Sequence, residues 1–206
     1  MKKYAVAVIL LLLGPVYSYN FMNKFLFQGS AGIAIPIGDM PDMFPEDRGL
    51  ALGGENAFNL SGYFSFGLTR NLLTMLGISS ASHKINKAGN QTVDPHVQKV
   101  NDKIFAIKGA VRYYFPLPDR PLMPYVQGGG GLYIVSTEVK NVGQGTKAKA
   151  THNSIGIHGG AGFYIQPRKT FGIDLNLSFD FIFTTTDYND INTKVFTISI
   201  GPVFVF

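Results

Sequence analysis

Along most of this chain, bulky apolar residues recur at every second position, the period at which successive side chains of an extended strand point to opposite faces. The clearest stretch sets Phe171, Ile173, Leu175, Leu177, Phe179, Phe181 and Phe183 against Gly172, Asp174, Asn176, Ser178, Asp180 and Thr184. No helix has that period. The same alternation predicts strands at Phe25–Ile37, Phe58–Leu68, Phe105–Phe115, Tyr125–Val139, Ser154–Ile165 and Val195–Phe206, and a weaker one at Leu72–Ser82. Tight turns are predicted at Thr69–Asn71, Pro116–Pro121 and Pro167–Thr170, and longer polar connections at 39–55, 83–102, 141–151 and 185–193. Eight strands whose connections alternate long and short describe an up-and-down antiparallel barrel with both chain ends on the short-turn side.

Alternation alone does not say whether the apolar face packs a soluble core or meets lipid. The polar face decides. It is mostly Gly, Ser, Ala, Thr and Tyr, and only 15% of the 206 residues are charged, too few to cover a large wet surface. A mean hydropathy of +0.13 excludes a bundle of membrane helices but suits strands that put lipid-facing and lumen-facing residues in alternation. The expected fold is therefore all-β, an eight-stranded antiparallel transmembrane β-barrel. An Arg or Lys facing lipid would cost about 2–4 kcal/mol at the midplane. Lys108, Arg112, Asp174 and Asp180 are accordingly expected inside the barrel, with Arg112 meeting Asp174 and Lys108 meeting Asp180 across a narrow lumen. Tyr113, Phe115, Phe171 and Phe206 are expected in an aromatic girdle at the short-turn end.

The N-terminus reads as a leader. Lys2 and Lys3 precede the apolar run Tyr4–Leu13, and Gly14 and Pro15 break it before Val16, Tyr17 and Ser18. Cleavage after Ser18 is expected, giving a signal peptide at 1–18 and a barrel domain at 19–206. The run falls short of the roughly 20 apolar residues that a spanning helix needs. Losing Lys2 and Lys3 from a formal charge of +5 leaves +3, too little to argue for nucleic acid, which export excludes in any case. With no cysteine, disulfides, thiol catalysis and thiolate metal sites are excluded. His83, His96 and His158 have no metal-like spacing with carboxylates, and neither a metal nor another cofactor is expected. The glycines at 128–131 are followed by no Lys-Ser or Lys-Thr pair, so they read as a glycine-lined strand and not a phosphate cradle.

Phe206, with Phe204 and further apolar residues at every second position before it, resembles the closing strand of bacterial outer-membrane β-barrels. The run Val111, Arg112, Tyr113, Tyr114, Phe115, Pro116, followed by Pro124, Tyr125, Val126 and the glycines, is similar to the core hairpin of the generic outer-membrane barrel family related to OmpA and OmpX. That resemblance implies the bacterial outer membrane, export chaperones, recognition of the last residues by the barrel assembly machinery, a monomer, and outer-membrane lipid and lipopolysaccharide as neighbours. It specifies no chemistry. One class of function is a small barrel displaying loops for surface binding or envelope integrity, since eight strands leave little lumen once side chains fill it. A second is a narrow conduit for small apolar molecules, as in OmpW-like barrels. A third is a lipid-modifying enzyme: His152 and Ser154, with Glu138 across a hairpin, resemble the His and Ser of lipid A deacylases, although Ile155 stands where that family has Asn. An acidic first loop with Asp39, Asp42, Glu46 and Asp47 contrasts with loop lysines Lys84, Lys87, Lys99, Lys147 and Lys149, which are expected to take an anionic ligand such as lipopolysaccharide.

Overall fold

A computed structural model describes residues 20–37, 56–85, 97–115, 122–141, 147–185 and 190–206. Eight strands follow in chain order: β1 (Phe25–Ile37), β2 (Ala57–Gly67), β3 (Leu72–Ile85), β4 (Val97–Tyr114), β5 (Leu122–Asn141), β6 (Lys147–Arg168), β7 (Phe171–Thr185) and β8 (Asp190–Val205). Each pairs antiparallel with the next, and β8 returns to β1 through pairs such as Phe27 with Phe204, so the sheet closes without an edge. The final amide follows suit: Phe206 N–H donates to the Phe25 carbonyl at 2.9 Å.

The two faces separate as the alternation requires. Phe27, Phe58, Leu60, Phe64, Leu76, Ile107, Leu132, Ile155, Leu177 and Ile200 stand exposed on the outside, while the residues between them turn in. Such continuous outward apolar surface exceeds what a soluble monomer carries. Tyr113 and Phe115, 5.0 Å apart between ring centroids, and Phe171 and Phe204, 5.7 Å apart, lie on this outer face at the short-turn end. The weak alternation of β3 has a simple cause. Leu73 and Met75 are buried inside the barrel while Leu76 and Ile78 are exposed outside it, so both faces are apolar.

The structure corrects the long connections. β3 runs on to Ile85, β4 starts at Val97, β5 reaches Asn141, β6 starts at Lys147 and β8 at Asp190, so much of what reads as polar loop is strand. Above the apolar belt the outward parity turns polar, with Lys84 opposite Asn101 and Glu138 opposite Lys149, while the inward parity mixes polar positions with the row Ile85, Val100, Val139 and Ala148. Lys84, Lys99, Lys147 and Lys149 therefore lie on strands and not in loops. Lys87, His96, the leader at 1–18, the acidic segment 39–55 and the proline turn at 116–121 lie outside the described residues. The two other short turns are where the sequence puts them. Thr69 Oγ1 accepts from the amides of Asn71 and Leu72 at 3.3 and 3.1 Å, and Gln166 Nε2 donates to the Lys169 carbonyl at 2.8 Å across the β6–β7 turn.

Candidate functional site

The inward residues stack in layers along the barrel axis. At the short-turn end, Phe21 precedes β1 and folds back into the mouth, its amide donating to the Arg70 carbonyl at 3.3 Å and its ring 4.8 Å from that of Tyr114. Around it Leu26, Leu73, Met123, Tyr125, Tyr164, Val203 and Val205 form a buried apolar cluster. At the other end of the described interior, Ala34, Ala57, Ala81, Ile104, Ala106, Val135, Ile182 and Val195 form a second one. The charged side chains lie between these two apolar layers.

The lower polar layer centres on Arg112 of β4. Its Nη1 lies 3.1 Å from Asp174 Oδ1 on β7, its Nε and Nη2 donate to Gln127 Oε1 at 3.0 and 2.8 Å, and its guanidinium sits 4.0 Å from the centroid of the Tyr125 ring. The second carboxylate oxygen of Asp174 accepts from Gln28 Nε2 at 2.7 Å and from the Tyr125 hydroxyl at 3.0 Å. Gln127 Nε2 donates onward to Asn176 Oδ1 at 3.2 Å. In the upper layer, Lys108 Nζ lies 2.7 Å from Asp180 Oδ1, which also accepts from the Tyr133 hydroxyl at 2.7 Å. β4 and β7 are not neighbours, so both pairs bridge the lumen. Two cations face two carboxylates across the two layers, all four side chains are nearly inaccessible, and their formal charges cancel. Buried ions persist only when paired and hydrogen-bonded in this way.

A cavity of ≈ 20 Å³ lies beside the upper pair, lined by Asn59, Ser79, Lys108, Asp180 and Thr197 among others. That is room for about one water molecule. His158, on β6 opposite Asp180, is buried, and among the described residues neither ring nitrogen has a hydrogen-bond partner. A buried polar group left unbonded costs about 1–3 kcal/mol. Replacing it with an apolar residue of similar size, His158→Leu, is therefore expected to leave stability unchanged or to raise it by about 1 kcal/mol in urea unfolding. A clear loss would show that the imidazole is bonded in the lumen.

The other candidates divide. Lys108, Arg112, Asp174 and Asp180 are brought together, two by two. His152 and Ser154 share the inward parity, opposite Val135 and Tyr133, whereas Glu138 lies opposite Lys149 and falls on the other face of the hairpin. That register does not place the acid beside the His. Among the described residues no group of His, Asp and Glu could hold a metal ion. Sequence reasoning missed Phe21, Gln28, Tyr125, Gln127 and Tyr133. Strand parity puts the last four inside, but nothing in a neutral side chain announces its partner.

A family model described as the outer membrane protein beta-barrel domain matches residues 6–204. No curated protein sequence matches the chain. Among solved structures, Neisserial surface protein A superposes with a TM-score of 0.60 and 16% identity, over 87% of this chain and 96% of its own. The outer membrane protein OprG of Pseudomonas aeruginosa gives 0.57 and 16%, over 93% and 99%. A major outer membrane protein from Thermus thermophilus gives 0.57 and 12%, over 88% and 99%. At these identities the likeness is one of fold.

Proposed function

Since this chain belongs to the outer membrane protein β-barrel family and lies in the bacterial outer membrane, we propose that it is a sealed, non-catalytic barrel that anchors and displays its long strands for surface binding or envelope integrity. The observation that carries this reading is the filled interior, in which the Arg112–Asp174 and Lys108–Asp180 bridges lie between two apolar layers. A spanning strand needs roughly 9–11 residues. The 20 residues of β5 and 22 of β6 are about twice that, so the β4–β6 sheet continues past the apolar belt. With both chain ends in the periplasm, that extension stands outside the cell.

The competing reading, a conduit for small apolar molecules, requires a path along the axis, and the buried bridges between two apolar layers argue against one. Proteoliposomes carrying the refolded barrel should take up a small apolar probe no faster than protein-free vesicles. Protein-dependent uptake, abolished by heat unfolding, would replace the display reading with the conduit.

A further inference from the structure

The register arranges the extension's lysines in rows. On the outer parity of β3–β6, the last apolar rows are Ile78, Ile107, Leu132 and Ile155, then Phe105 and Ile134 between Ser80 and Asn153. The next row outward holds Lys103 between Ser82 and Ser136, and the one after it Lys84, Asn101, Glu138 and Lys149. In the row beyond, Lys99 pairs with Lys140 and Lys140 with Lys147, three lysines side by side on three adjacent strands. Lys103 and Lys149 are exposed. Six lysines and one carboxylate thus share one parity, directly above the belt that meets lipid.

Like charges directly opposite on neighbouring strands destabilise a sheet. A row of three such positions is a cost within the protein that clustered anionic charge outside it would offset. Rows are spaced by two residues, about 6.6 Å along a strand, or roughly 5 Å in height when strands tilt by about 45°. The three lysine rows therefore begin at headgroup height, roughly 5 Å above the apolar belt, and reach roughly 15 Å, from where long lysine stems can bend back toward the headgroups. On the outer side of the barrel at that height, the available anions are those of the surrounding lipid.

We infer that Lys84, Lys99, Lys103, Lys140, Lys147 and Lys149 form a docking face for the phosphates of outer-leaflet lipopolysaccharide, seated against the barrel wall and not on the loop tips. The site rests on the orientation given above, with β4–β6 extending outside the cell. Lys140 and Lys103 join it by register alone. Lysine suits it because a point charge on a flexible stem follows several phosphate positions.

The test titrates the refolded full barrel, in uncharged detergent, with diphosphoryl lipid A. The combined variant Lys99→Gln, Lys140→Gln, Lys147→Gln should bind about a hundredfold more weakly, at about fivefold per lysine. Arginine at the same three positions should preserve binding, which separates lost charge from lost folding. Dephosphorylated lipid A should bind the wild-type barrel as weakly as diphosphoryl lipid A binds the glutamine variant. Equal affinity of wild type and glutamine variant, or indifference to the phosphates, would overturn the site. So would tighter binding of a soluble sulfated polysaccharide than of lipid A, because the face would then serve a partner outside the membrane. Uptake by the proteoliposomes described above would sink the sealed-barrel reading and leave this result standing.

Discussion

Asp174→Ala should cost about 3–5 kcal/mol of unfolding free energy, because it leaves the Arg112 guanidinium buried without its counter-ion. The arithmetic follows from geometry. Arg112 and Asp174 side chains are 2% and 1% exposed, 3.1 Å apart, and the carboxylate also holds Gln28 and Tyr125. Truncation strands one cation and two donors at once. Arg112→Ala should cost a similar amount by stranding the carboxylate. The double variant should cost much less than the sum, with a coupling of about 2–3 kcal/mol between contacting groups. Urea unfolding of the four proteins in detergent or bilayers measures the cycle. Additive losses would mean that the charges do not meet across the lumen. A buried pair of this kind is weak evidence for stability as such, since well-packed apolar residues can replace it at no loss. In the proposed function its consequence is to fill the lumen.

The second large effect is one of space. An ideal Cβ on Gly201, inside β8, would overlap the Gly29 carbonyl oxygen on β1. This is where the last strand closes on the first, and the atom in the way is backbone, which cannot swing aside. Gly201→Val should therefore destabilise by about 3 kcal/mol or more, at the upper end of overpacking. Gly109 is the control. It lies on the outer parity of β4, and a Cβ there meets nothing within 4 Å. Gly109→Val should stay within about 0.5 kcal/mol of the wild type, as surface changes away from special features do. Heat-resolved electrophoretic mobility of the refolded barrels reads both. Equal behaviour of the two variants would show that the barrel seam is looser than the backbone approach implies.

The strand centres were legible because lipid imposes a strict alternation: the outward face must be apolar, while the inward face mixes small and polar residues with a few tyrosines. Phe171–Phe183 needs no further information. The charged bridges were legible for the same reason. Once parity turns Lys108, Arg112, Asp174 and Asp180 inward, two positive and two negative side chains in a narrow tube have few other partners. Outside the belt the constraint lapses. The Lys147–Asn153 part of β6 alternates Lys, Thr and Asn with small Ala and His152, so its sequence carries no bulky apolar signal and reads as loop although its backbone is paired. Phe21 was hidden differently. It precedes the first strand, and only the folded mouth, with Tyr114 and Tyr164 beside it, gives that ring a place. The lysine rows needed the register, because Lys99 is far in sequence from Lys140 and Lys147 and the three become adjacent only once three strands are aligned.

The central claim is that the barrel is closed along its axis by paired charges between apolar layers. Single-channel recording of the refolded protein in planar bilayers tests it most directly. The wild-type barrel should insert, as shown by protease protection of its membrane strands, and produce no current steps at moderate voltage. Reproducible open-channel steps from the inserted wild-type protein would contradict the claim, because ions would then be crossing the layer that Arg112 and Asp174 hold shut.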